Sequence, residues 1–163
     1  MGTRSVLFAI DEADVSCLRA AVDDDARVHH VTDVIEERWD EEHLTEIPNL
    51  WDPIHRSLTD GRLAFDNGSF PRNRCILGGE RLTHGDYIIS FTSAELVPEV
   101  ASSLAAMTRE EFAAGCALID ADEYGPDFGE EDLERAWECF EDARALWLKA
   151  SEVGRAVIFT VGL

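Results

Sequence analysis

Apolar positions recur at two different periods along this chain, and the switches between them mark its elements. Residues 3–10 close on the run Val6-Leu7-Phe8-Ala9-Ile10 and read as a buried strand. Asp11 then offers a helix cap, and Val15, Leu18, Ala21 and Val22 follow at helical spacing. A second helix is predicted over about residues 24–42, with Val28, Val31, Val34, Ile35 and Trp39 on one face. A third spans about residues 50–59, where Pro53 is tolerable in the first turn and Gly61 is placed to end it. Residues 62–73 carry no period, and Asn67-Gly68 and Pro71 mark turns. Residues 75–77 and 87–91 look like short strands around a Gly78-Gly79 bend.

In the second half, Thr92 with Glu95 and Thr108 with Glu111 have capping-box spacing, and Pro98 must kink the first of these helices or begin it anew. The stripe Leu133, Ala136, Trp137, Phe140, Ala143, Trp147 and Ala150 is the strongest helical pattern, and Gly154 closes it. Residues 156–161 form a buried strand placed to pair with the first. No linker or repeat divides the chain, so one domain over residues 1–163 is expected. The pattern predicts an α+β fold: a small mixed sheet packed with several helices, including a long C-terminal one.

Charge narrows the partners. The 163 residues hold 34 acidic against 14 basic side chains, a net −20, which disfavours nucleic acid and anionic membranes. Residues 54–86 depart from this, with 5 Arg against 4 acids, and so form the first place to look for a functional surface. Thirteen of the basic residues are Arg and only Lys149 is Lys. The acidic face Glu36, Glu37, Asp40 and Glu41 is a solvated helix surface or a docking face for a basic protein partner, with Glu130, Glu131, Asp132 and Glu134 a second such cluster. No secretory or spanning segment is evident at the start, so a soluble cytoplasmic protein is expected. Cys17, Cys75, Cys116 and Cys139 lack C-x-x-C spacing and read as buried free thiols.

Trp51-Asp52-Pro53-Ile54-His55, then Leu58-Thr59-Asp60-Gly61, Cys75-Ile76-Leu77-Gly78-Gly79-Glu80 and Ser90-Phe91-Thr92-Ser93-Ala94-Glu95-Leu96-Val97 together resemble the YfbM-like family of bacterial proteins, domain of unknown function 1877. Met1-Gly2, the Tyr124-Gly125-Pro126 loop and the C-terminal helix and strand are similar as well, so the likeness covers nearly the whole chain. The resemblance implies an α+β fold and brings no established activity.

The chemistry in the sequence is sparse. Trp51 and His55 share a helical face, and with Gly78, Gly79 and Glu80 they are the candidate lining of a small-ligand or catalytic cleft. Against that, a histidine on an apolar face is commonly a satisfied core residue, and Gly78-Gly79-Glu80 lacks the spacing of a phosphate loop. No nucleophile motif is present. His29, His30 and His43 offer no set of metal ligands, and Asp120, Asp122 and Glu131 match a calcium loop only partly, since Tyr124 and Pro126 spoil it. Neither a metal nor a cofactor is expected. A non-catalytic acidic binding module, such as the immunity type that masks a basic partner, leads; an enzyme or small-ligand-binding protein with a cleft around Trp51, His55 and Gly78-Gly79 is the alternative.

Overall fold

The computed structural model describes residues 4–125 and 128–163, and in it five strands lie between two unequal layers of helices. The strands are β1 (Ser5–Ile10), β2 (Leu44–Glu46), β3 (Glu80–Arg81), β4 (Tyr87–Thr92) and β5 (Ala156–Gly162), in the order β2-β1-β5-β4-β3. The first and last long strands pair along their length, from Ser5 opposite Val161 to Ile10 opposite Ala156. Where the sequence suggested a mixed sheet, every described pairing is antiparallel. Parallel neighbours are joined by one crossover helix. Here three helices separate β1 from β2 and four separate β4 from β5.

Successive side chains of a strand point to opposite faces, and both faces of this sheet are covered. Leu7, Ala9, Ile88, Val157 and Phe159 meet α4 (Trp51–Leu58), α5 (Val97–Ala105), α6 (Arg109–Cys116) and α8 (Glu130–Val153). Near the start of α8 lies the short α7 (Ala121–Tyr124). Val6, Phe8, Ile10, Phe91 and Ile158 meet a thinner layer built from α1 (Glu12–Ala20), α2 (Asp24–His30) and the turns that follow it. The stripe on α8 is the centre of the larger core: Ala136, Phe140, Ala143, Trp147 and Ala150 are buried, and Phe112 lies 5.2 Å from Phe140 ring to ring. Gly154, at φ 72°, ends that helix in the left-handed conformation a glycine adopts without steric cost. No helix among the described residues is long and apolar enough to cross a membrane.

Three local expectations are corrected. The helix expected over residues 24–42 passes through a π-helical segment, Val31–Ile35, into a single turn, α3 (Glu36–Arg38), and stops where Trp39 takes φ 40°. Val31 and Ile35 reach the core through that wider turn, while Val34 is left exposed. Residues 75–77 are no strand: a 3₁₀ turn (Arg72–Cys75) leads into Ile76 and Leu77, which are buried by the helical layer rather than by a ladder. Thr92 ends β4 opposite Val157, and α5 starts afresh at Val97 with Pro98 in its first turn. Thr108 and Glu111 do form the reciprocal capping box.

Candidate functional site

Helix α4 places His55 where all three of its polar contacts are internal. The ring is 1% exposed; Nε2 lies 2.7 Å from the Ala64 carbonyl and 2.9 Å from Asn67 Oδ1, and the Leu77 N–H reaches Nδ1 at 3.4 Å. Two acceptors on Nε2 and a donor on Nδ1 fix the neutral Nε2–H tautomer. Burial pushes the imidazole pKa down, only partly opposed by the hydrogen bonds the ring donates to Asn67 and Ala64. His55 is therefore a clasp. It holds both ends of the loop between α4 and β3, which would otherwise have little regular structure to secure it.

The other residues expected around His55 are engaged as well. Trp51 packs its half-buried ring on Phe159 of the sheet, 5.8 Å between centroids. Gly78 donates its N–H to the Asn73 carbonyl at 2.9 Å, and Gly79 donates to Ser90 Oγ at 3.0 Å, so the backbone donors that an anion would need are committed. A side chain at either glycine would collide with backbone: a Cβ on Gly78 would stand 2.2 Å from the Asn73 oxygen, and one on Gly79 would stand 2.6 Å from that of Phe91. Glu80 is exposed on β3 and forms a two-point ion pair with Arg19 at 2.8 and 3.1 Å. His55 and the Gly78 turn are thus adjacent through Leu77, in a closed seam where the sequence led us to expect a cleft.

Of the four acids singled out on the second helix, two are tied into the fold. Glu36 accepts the Tyr87 hydroxyl at 3.2 Å, and Asp40 lies 2.7 Å from His43 Nδ1 and 4.0 Å from Arg155. Burial, and then the Glu36 charge, push the Tyr87 hydroxyl well above its usual range. Glu37 and Glu41 are exposed and have no ion pair among the described residues. The break at Trp39 means the four do not form one helical face. In the other acidic segment, Asp120 caps α7 by accepting the Asp122 N–H at 3.0 Å, and Tyr124 lies under the Arg56 guanidinium. Pro126 of the partial calcium loop is outside the described residues.

Two polar knots have no motif that would reveal them. Asp14, 3% exposed, accepts from Arg38 at 2.9 Å and lies 2.9 Å from His30 Nε2, so one carboxylate on α1 ties together the two ends of the π-turn. Burial alone would raise its pKa; the hydrogen bonds from Arg38 and then His30 outweigh that and hold it below the usual value. The sequence signal was ambiguous, because an acid in the first turn of a helix ordinarily serves the helix dipole. Arg56, also 3% exposed, reaches Asp52 at 2.6 Å, the Gly61 carbonyl at 3.3 Å and Glu123 at 3.5 Å. Its spacing of four from Asp52 was the available clue.

A second dense run of acids lies on the thicker layer. Residues 109–142 contain 13 acids and 2 arginines, a net −11. On α8, Glu130, Glu134, Glu138 and Asp142 follow each other at intervals of four and so form a single column, all of them exposed. Glu134 pairs with Arg109; Glu130, Glu138 and Asp142 have no ion-pair partner among the described residues. The column also acts on its neighbour: burial and then the charges of Asp142 and Glu138 raise the Cys139 thiol pKa.

Comparison with solved structures gives a match to a protein of unknown function, YfbM from Escherichia coli, at 16% identity and TM-score 0.67, covering 97% of this chain and 99% of that one. At that identity the likeness concerns the fold. Curated proteins give no match. The family model described as domain of unknown function DUF1877 matches residues 1–160, and the chain belongs to that family.

Proposed function

We propose that this DUF1877 domain is a non-catalytic acidic binding module that masks a basic protein partner, in the manner of an immunity protein. The observation that carries the reading is the column Glu130, Glu134, Glu138 and Asp142 on α8. Like charges four apart on a helix each cost it about 0.2–0.5 kcal/mol, and three such steps follow one another here. The side chains of Glu130, Glu138 and Asp142 make no hydrogen bond or ion pair among the described residues in return. A basic partner would relieve that repulsion, and the field of a −20 molecule would speed its approach. The non-catalytic part rests on the closed seam at His55 and on the buried Cys75 thiol, whose pKa burial pushes up to about 12.

The experiment is capture from the native host at low and high salt, with the full chain as bait beside two charge-reversed variants. A basic protein should be retained at low salt and released at high salt. It should be lost by Glu130→Lys/Glu138→Lys/Asp142→Lys and kept by Glu37→Lys/Glu41→Lys. A partner indifferent to salt or to the α8 reversal, or no partner at low salt, overturns the proposal.

A further inference from the structure

Outside the acidic surface, the near-neutral block folds into a cleft of about 550 Å³ between the end of α4, the loop after it and α5. Its walls include Thr59, Asp60, Ser69, Phe70, Arg72 and Ser103. Such a volume is in the range of small-molecule sites. Three features distinguish this cleft from an ordinary surface dent.

First, its wall is built rigidly. A structureless loop this long in a small domain ordinarily needs a functional reason, and this one is anchored at several points. His55 holds Ala64, Asn67 and Leu77. Asn67 Nδ2 donates to Thr59 Oγ1 at 3.1 Å, Asp60 Oδ1 at 2.7 Å and the Arg62 carbonyl at 2.8 Å. Gly68, at φ 77°, packs so closely that a Cβ there would stand 2.5 Å from Thr59 Cγ2.

Second, both ionised lining groups of the cleft are engaged within the fold: Asp60 Oδ1 accepts from Asn67 Nδ2 at 2.7 Å, and Arg72 donates to Glu111 at 2.9 Å and to Ser103 Oγ at 3.2 Å. Third, a large ring is left in the open: Phe70 is 41% exposed, with Arg74 5.6 Å from its centroid. Beside it, Ser69 Oγ has no hydrogen-bond partner among the described residues, and Ser103 Oγ, which accepts from Arg72, still has its own proton to donate.

We propose that the Asp60–Arg72 cleft binds an uncharged polyhydroxy ring, a sugar-like ligand, by laying its C–H face on Phe70 while Asp60, Ser69 and Ser103 take its hydroxyls. An aromatic face receives the apolar side of such a ring, a carboxylate accepts from hydroxyl donors, and the serine hydroxyls both give and receive. With Asp60 and Arg72 already engaged the cleft offers no unpaired charge to a ligand, and an anionic one also meets the −20 field of the whole molecule. His55 and Asn67 act here as positioning residues. The proposal rests on none of the acidic residues of the α8 column.

The test is an amide NMR titration of the full chain with glucose, N-acetylglucosamine and glucose 6-phosphate as probes. Saturable shifts at Thr59, Gly68, Ser69 and Ser103 with at least one uncharged sugar are expected, with glucose 6-phosphate weaker than glucose. Phe70→Ala, at an exposed position that leaves the fold intact, should weaken binding about tenfold. Asn67→Ala should weaken it too, with faster hydrogen exchange through residues 59–69 as the mark of lost positioning. No saturable shift with either uncharged sugar, tighter binding of the phosphate ester, or equal affinity in Phe70→Ala overturns the proposal.

Discussion

The two helical layers cover the same sheet and carry nearly the same charge, yet they are held together in different ways. Residues 11–46, which form the thin layer, hold 13 acids against 3 arginines, a net −10; residues 109–142 of the thick layer reach −11. In the thin layer the acids hold the structure together: Asp14 binds Arg38 and His30, Asp24 binds Arg27, Asp40 binds His43, and Glu36 binds Tyr87. In the thick layer apolar rings do most of that work, and apart from Asp52 and Glu123 at the buried Arg56 its ion pairs, such as Arg72–Glu111 and Arg109–Glu134, lie nearer the surface. The difference follows from apolar supply. Of apolar residues the described helices and π-turn of the thin layer bury only Leu18, Val31 and Ile35, whereas α8 alone buries Phe140, Leu146 and Trp147 besides its alanines. A layer poor in apolar side chains has to fix its helices by charge-assisted hydrogen bonds; one rich in them leaves its charges free for solvent or a partner.

The sharpest way to break this comparison is to remove a ring from the thick layer. Phe140→Ala deletes a fully buried side chain in contact with Phe112 and Trp137 and should lower stability by about 4 kcal/mol in urea unfolding. A loss nearer that of an exposed substitution would mean that the aromatic stack does not carry the layer. Next comes His55→Ala, which leaves the Ala64 carbonyl and Leu77 N–H without a partner and opens a cavity, for a loss of about 3 kcal/mol. The wild-type pH dependence provides a check. The folded pKa of His55 is depressed, so on acidification the unfolded chain takes up its proton first, near its ordinary value of 6.5. Stability should therefore fall as pH drops below about 6.5, and that part of the slope should be missing in His55→Ala.

These residues also show how much was legible in advance. The outer strands of the pattern, the α8 stripe, its Gly154 stop and the Thr108 capping box follow from short-range periodicity and turn chemistry, and the structure has them where the sequence placed them. The edge strand β2 was invisible, because three half-exposed residues carry no period. So was the π-turn, whose extra residue per turn exists to bring Val31 and Ile35 onto the sheet. At the candidate site the spacing of Trp51 and His55 was read correctly as one helical face. What no local pattern records is that the loop 59–77 folds back over that face and closes it. The choice between an open imidazole and a clasp was decided by contacts 9 to 22 residues away in sequence.

A smaller effect separates the layers by pH. Asp14→Ala removes the acceptor of Arg38 and His30 and should lower stability by about 2 kcal/mol, less than the ring deletion, since Arg38 stays close to water. The sign with pH matches that of His55, but the depression comes from pairing of the charged form where His55 owes it to burial of the neutral one: the contribution of Asp14 is fully present above its ordinary value of 3.8 and is lost as pH falls through the folded value. Acid unfolding monitored by near-ultraviolet circular dichroism should show the wild type losing an increment below about pH 4 that Asp14→Ala has already lost at neutral pH. An unchanged acid limb in the variant would remove the knot from the account of the thin layer.

The smallest expected effects test whether the α8 column is repulsive, which is the premise of the docking proposal. Glu138 stands four residues from both Glu134 and Asp142, so Glu138→Lys turns two like-charge steps into attractive ones and should gain about 0.5 kcal/mol. Glu131 is different: it sits in the first turn of α8, where a carboxylate is favoured by the helix dipole. Glu131→Lys should therefore lose about 0.5 kcal/mol. Paired urea melts at low salt resolve the two signs, and both should shrink as ionic strength rises and screening takes over. A destabilised Glu138→Lys would show that the column is held in a favourable field of its own, and that a basic partner has no repulsion there to relieve.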